Sequence, residues 1–169
     1  MSQYQSALLQ CLHERGFLYQ CTEPEALDAL AASDKLTAYI GFDLTADSLH
    51  VGSLVQIMLL KWLQVYGHRP VVVLGGGTTK IGDPSGKDSA RKMLNYEKIA
   101  ENKASIKKIF EHYLGVDENK RVIVDNATWL DYLSYVELLR DVGPHFSVNR
   151  MLSFESVKSR LDREQNLSF

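Results

Sequence analysis

Apolar residues recur at helical spacing through "QSALLQCLHERGFL" (5–18), and the pattern stops near Gly16. "TEPEALDALAAS" (22–33) predicts a second helix, with Thr22 as candidate cap, Pro24 in the first turn and acidic residues near the positive end of the helix. "LTAYIGF" (36–42) is short, apolar and aromatic, and reads as a buried strand. Helical spacing returns from about His50 to Tyr66 and ends at Gly67. "RPVVVLGGG" (69–77) holds a second strand, Val71 to Leu74, apolar at every position, as a parallel strand covered on both faces is. Strand, helix and strand with short joints make a βαβ unit with a right-handed crossover. "NYEKIAENKASIKKIFEHYLG" (95–115) predicts an amphipathic helix closed by Gly115 and "RVIVDNA" (121–127) a third strand; 133–143 and 153–164 read as further helices.

Two polar clusters interrupt this pattern, each just after a strand. The first is "DLTADSLHVGS" (43–53). In open α/β sheets ligands bind beyond the carboxyl ends of the strands. The helix start there offers free N–H groups and partial positive charge, which suits a phosphate. Gly52 lets a flat group pack against the first turn, and His50 is a donor for charge developing on an anion. The plainer alternative is that Ser48 caps the helix and His50 sits on the surface.

The second cluster is "GGGTTKIGDPSGKDSARK" (75–92). Three glycines suit a place where backbone approaches something closely. Lys80, Lys87, Arg91 and Lys92 surround the loop with positive charge, with Asp83 among them. It is not a P-loop: Ile81 holds the position of the required glycine, and Asp88 replaces the magnesium-binding Ser or Thr. "GDPSG" is also a good turn, so a solvated surface loop is the alternative. Two such clusters on successive strands would face one crevice.

Composition changes this picture little. The chain of 169 residues is about one domain long, 45% hydrophobic and 24% charged. A formal charge of −2 gives no net reason to expect nucleic-acid binding, although a local basic face remains open. Cys11 and Cys21 are too few for a disulfide framework and lie in no metal-ligand spacing, so they read as reduced thiols. The N-terminus has no basic stretch followed by an apolar one, and the run Leu54 to Leu63 is too short to span a bilayer. A cytoplasmic protein is expected, or a mitochondrial one if its origin is organellar.

"YIGFDLTADSLHVGSL" followed by "GHRPVVVLGGGTTKIGDPSGK" resembles the catalytic domain of tyrosyl-tRNA synthetases of the bacterial and organellar type. "HVGS" is similar to the HIGH signature of class I synthetases, and "LLRDVGPHFSVNRML" (138–152) to a later stretch of the same family. The resemblance implies an α/β, Rossmann-like parallel sheet: N-terminal helices over 1–35, the first half of the nucleotide-binding fold over 36–95, and a helical, dimer-forming region over 96–169. It implies ATP-dependent activation of L-tyrosine, then transfer to tRNA(Tyr), with magnesium accompanying ATP. Tyr39 would contact the phenolic hydroxyl of the substrate. Asp43 would lie near the α-phosphate. Thr45 and His50 would stabilise the transition state as pyrophosphate leaves, and Gly52 would let adenine stack. Thr78 and Asp83 would hold the ammonium, Asn126 would face the amino acid, and Lys87 and Arg91 would touch pyrophosphate. Ser53 replaces the second histidine of the signature and keeps a hydroxyl for a ribose oxygen. Ile40 stands where some members have a polar residue.

The sequence departs from the family at its end. After "REQNLSF" the family continues into a Tyr-x-x-Gln-x-x-Asp helix and a KMSKS loop, neither of which occurs here. The chain is therefore expected to be an N-terminal piece, inactive alone. Rival readings are a non-catalytic short paralogue or dimerisation module, and another nucleotidyl transferase with a HIGH-like motif. "WLDYLSYVELL" (129–139) has residues suited to a two-fold interface within 125–155, or to the inner face of a helix.

Overall fold

The computed structural model describes residues 4–81, 94–117 and 121–161. Three parallel strands, β1 (Thr37–Asp43), β2 (Arg69–Gly75) and β3 (Val122–Asp125), form one sheet in the order β1-β2-β3. Tyr39 stands beside Val71 and Val71 beside Val122, so the strand ends at Asp43, Gly75 and Asp125 fall together. The helix α3 (Val51–Val65) joins β1 to β2, and α5 (Tyr96–Leu114) precedes β3. Both helices join the core built on the sheet: Phe42 of β1 meets Phe110 of α5 edge to face at 4.7 Å, with Leu60, Val72, Leu74 and Ile106 around them.

Strand periodicity puts alternate side chains on opposite faces. Phe42, Val72 and Leu74 are buried in the core, whereas Val71 and Val73 are only half-buried. This corrects the expectation of a strand covered on both faces. Among the described residues the packed helices leave the face of Tyr39, Val71 and Val73 open, and Tyr39 is 73% exposed.

The N-terminal helices are α1 (Ala7–Glu14) and α2 (Pro24–Ser33). Ser6 Oγ accepts from Leu9 N–H at 3.2 Å and caps α1. Asp28 of α2 accepts from Gln5 N–H at 2.7 Å and Ser6 N–H at 2.8 Å, which ties the two helices together. The Gln5 N–H, with help from Ser6, holds the Asp28 carboxyl below the usual carboxylate range, although its burial acts the other way. Thr22 is not the cap of α2: Glu23 occupies that position without a side-chain bond, and Pro24 follows in the first turn, where its missing N–H costs nothing. Gly67 follows α3 at φ 83°, a conformation glycine adopts without strain.

Among the described residues four short helices follow β3: α6 (Ala127–Leu130), α7 (Tyr135–Asp141), α8 (Val148–Leu152) and α9 (Glu155–Leu161); α4 (Thr78–Ile81) is a single turn after β2. The helix expected over 133–143 stops at Asp141 and gives way to a 3₁₀ turn at Gly143–His145, which contains Pro144. Of the helix expected over 153–164, the part beyond Leu161 lies outside the described residues. Every residue from 131 to 142 is exposed, with Tyr132 at 86%, so α7 presents no inner face to the described core.

Candidate functional site

The three strand ends are laced together by side chains. Thr78 Oγ1 donates to Asp43 Oδ1 at 2.8 Å, and Asn126 Nδ2 donates to Thr78 Oγ1 at 3.2 Å. Asn126 Oδ1 in turn accepts from Gly77 N–H at 2.7 Å. Asp43 ends β1, Thr78 opens the turn after β2 and Asn126 follows β3, so the described parts of the two polar clusters share one end of the sheet. The hydroxyl proton of Thr78 is committed to a carboxylate, so the lone pair left on Oγ1 can only accept. That makes it a partner for a donor such as an ammonium group.

The glycine run is approached by the protein's own side chains. A Cβ on Gly75 would stand 2.5 Å from Asp43 Oδ1, and one on Gly76 would overlap the Asp125 carboxylate. Asp125 also accepts from Lys103 Nζ at 2.9 Å and Ala127 N–H at 2.9 Å. Burial pushes the Asp125 carboxyl up, but Lys103 and the backbone N–H groups of Ala127 and Gly76 outweigh it and hold the carboxyl below its ordinary value.

At the start of α3 the cap is His50, not Ser48. Its Nδ1 accepts from Gly52 N–H at 3.0 Å. An accepting Nδ1 has a free lone pair, so the ring proton of the neutral imidazole sits on Nε2. His50 is exposed and keeps that N–H as a donor. Gly52 is exposed beside it, and Thr45 is exposed in the loop after β1. Ser53 is 8% exposed, on the packed side of α3, with its N–H bonded to the His50 carbonyl at 2.9 Å. Tyr39 shares a face of β1 with Asp43, two positions of alternation away. Asp83, Lys87 and Arg91 lie outside the described residues. Lys80 is bound to Asp131 at 2.5 Å, which raises its pKa.

Sequence reasoning passed over Thr79, Asn102 and Asp125. Leu44 N–H donates to Thr79 Oγ1 at 2.8 Å, and Asn102 Nδ2 donates to Leu44 O at 2.8 Å. The available signal was an asparagine on the apolar stripe of α5, between Ile99 and Ile106. Two grooves lie nearby: one of about 700 Å³ along α5 and β3 that reaches Leu74 and Asp125, and one of about 550 Å³ between His50, Leu54 and the Lys108–Tyr113 stretch of α5. No group of three or more His, Cys, Asp or Glu among the described residues could hold a metal. No helix among them is long and apolar enough to cross a membrane.

Residues 31–169 match the family model of class I tRNA synthetases for tryptophan and tyrosine. The chain belongs to this family. A tyrosine–tRNA ligase of Novosphingobium aromaticivorans is 61% identical over the whole chain, which spans 42% of that ligase. One of Zymomonas mobilis is 60% identical with the same coverage. Among solved structures, a C-terminally truncated mitochondrial tyrosyl-tRNA synthetase of Aspergillus nidulans superposes with a TM-score of 0.84 at 28% identity, over 98% of this chain and 50% of that one. The chain thus spans well under half the length of the ligases it matches, and its sheet is part of a Rossmann-like synthetase fold.

Proposed function

We propose that this chain is part of a tyrosine–tRNA ligase and carries the strand-end half of the site that activates L-tyrosine with ATP. The observation that carries this reading is the Asp43–Thr78–Asn126 network beside the His50-capped helix start. In the reaction a carboxylate oxygen of tyrosine attacks the α-phosphorus of ATP, the bond to the β-phosphate breaks, and pyrophosphate leaves. Tyrosyl-adenylate then gives its tyrosyl group to tRNA(Tyr) in the complete protein.

The residues divide the work. Thr78 accepts from the substrate ammonium, with Asp83 as its anionic partner. Tyr39 meets the phenolic hydroxyl, and Asn126 orients Thr78 toward the amino acid. Asp43 lies beside the α-phosphate. His50 donates from Nε2 and Thr45 from its hydroxyl as charge gathers on the leaving pyrophosphate, with Lys87 and Arg91 on the same anion. Gly52 leaves room for adenine, and Ser53 offers its hydroxyl to a ribose oxygen at the rim of the packed face. The described residues offer no cage for magnesium, which suits an ion carried on phosphate oxygens and water. A cytoplasmic location, or the mitochondrial matrix, goes with ATP and tRNA as substrates. The exposed apolar side chains of Tyr132, Leu133, Val136, Leu139 and Phe146 suit a homodimer contact. With Tyr39 so open, the 169 residues alone are not expected to form the adenylate.

The test is tyrosine-dependent ATP–pyrophosphate exchange by the complete protein. His50→Ala should lower the exchange rate by roughly ten- to a thousandfold, the range for losing one such donor, and leave tyrosine binding nearly unchanged. No exchange by the unaltered protein overturns the reading. Weak tyrosine binding with a normal rate would move His50 into the amino-acid pocket.

A further inference from the structure

The two peptide groups that flank Leu44, where the chain leaves β1, are each held by a residue remote in sequence. Leu44 is fully buried; its N–H donates to Thr79 Oγ1 and its carbonyl accepts from Asn102 Nδ2, both at 2.8 Å. Thr79 is 3% exposed and Asn102 0%. Leu44 sits between Asp43, which holds Thr78, and Thr45, where the exposed loop to His50 begins.

Asn102 is an expensive choice for that place. It occupies a core position of α5, in line with Ile99, Ile106 and Phe110. Its Oδ1 is buried and accepts no hydrogen bond among the described residues. An apolar side chain there would remove the unpaired Oδ1 but leave the buried Leu44 carbonyl without its donor, so the amide is tied to holding that carbonyl. What the amide achieves is one directed bond to the Leu44 carbonyl. Thr79 supplies the complementary bond, and the hydroxyl rather than the methyl is the part that does so. With both made, the peptide groups on either side of Leu44 are each anchored to another element, and Asp43 and Thr45 inherit that position.

We infer that Asn102 and Thr79 are positioning residues: they clamp the two peptide groups flanking Leu44 and thereby set where Asp43, Thr45 and the loop to His50 stand for the reaction. The catalytic part of this inference rests on the ligase reading above; the clamp itself does not. The loop from Thr45 to His50 is largely exposed, whereas Asp43 is also held by Thr78, so the larger effect is on turnover and the smaller on tyrosine binding. An error of about 1 Å in such a constellation is enough to cost up to roughly a hundredfold in rate.

Two measurements decide it. In the 169-residue chain, Thr79→Val is nearly isosteric and removes the hydroxyl that accepts the Leu44 N–H. Amide hydrogen exchange at Leu44 and through Thr45–Leu49 should quicken by about tenfold or more, with the β2 amides unchanged. Thr79→Ser should restore protection. Equal exchange in wild type and Thr79→Val overturns the clamp, whatever the enzyme does. In the complete protein, Thr79→Val should lower kcat for tyrosine activation by about tenfold with the tyrosine KM within about twofold, and Thr79→Ser should stay near wild type. Asn102→Ala should repeat the Thr79→Val pattern if it folds. A raised KM with unchanged kcat, or equal losses in the Ser and Val variants, overturns the positioning role. If the wild-type protein shows no exchange of pyrophosphate, the ligase reading fails, and the amide measurement still settles the clamp.

Discussion

Gly52 and His50 occupy one small space at the head of α3. A Cβ on Gly52 would stand 2.8 Å from His50 Cε1 and 2.9 Å from His50 Nδ1. The same imidazole is held there by the Gly52 N–H at 3.0 Å. Gly52 therefore does two things at once: it donates the bond that orients the ring, and by lacking a side chain it leaves room for the ring to take that orientation.

Gly52→Ala should consequently act as a His50 variant. The ring is the movable part of the clash, so the protein should fold. Alanine in place of glycine early in a helix favours the fold by about 0.5–1 kcal/mol, so the melting temperature should not fall. Pyrophosphate exchange should drop by roughly ten- to a thousandfold, as for His50→Ala. The decisive measurement is the double variant. It should be no slower than His50→Ala alone. Additive losses would show that Gly52 acts through the approach of the nucleotide base instead.

Thr78→Val should weaken tyrosine binding by about tenfold, the worth of one hydrogen bond to a charged group, with a smaller change in the ATP KM. The substitution removes the acceptor for the ammonium and the donor to Asp43 together. Isothermal titration with tyrosine and with tyramine checks it; loss confined to kcat would place Thr78 outside the amino-acid pocket.

The acid side of stability should carry a contribution from His68. This residue is buried between α3 and β2, and its Nδ1 accepts from Leu36 N–H at 3.2 Å. Burial pushes its pKa below the ordinary 6.5. The unfolded chain therefore binds the proton more readily than the folded one. The stability that depends on neutral His68 is complete above pH 6.5 and is lost as pH falls toward the lowered folded value. His68→Asn keeps an acceptor near the Leu36 N–H and removes the titration. Thermal melts at about pH 7.5 and pH 5.5 should show a smaller difference in His68→Asn than in wild type; an equal difference would remove His68 from the account.

The exposed apolar side chains of α7 and of the turn after it predict self-association. Val136 is 70% and Phe146 61% exposed. In the complete protein Val136→Glu should shift sedimentation toward a monomer while the monomer itself melts as before, because an exposed position usually changes stability by no more than about 0.5 kcal/mol. A wild-type monomer well above micromolar concentration would count against the contact.

Much of this molecule was written locally. The period of apolar positions marked α1, α3, α5 and the three strands to within a few residues, since each element needs only its own side-chain spacing. The two polar clusters were legible as breaks in that pattern, and their place at the strand ends followed from chain order. Proximity between distant segments was not legible. Whether Ser48 or His50 caps α3 depended on a ring reaching forward two residues to the Gly52 N–H, and either side chain has the chemistry. The glycines at 75–77 advertised a close approach without saying that Asp43, Asp125 and Leu130 make it. Asn102 looked like a flaw in the apolar stripe of α5 until the fold brought Leu44, 58 residues away, under its amide. Periodicity is a property of neighbours along the chain, whereas a hydrogen bond between remote segments exists only once packing of the whole core has set the distance between them.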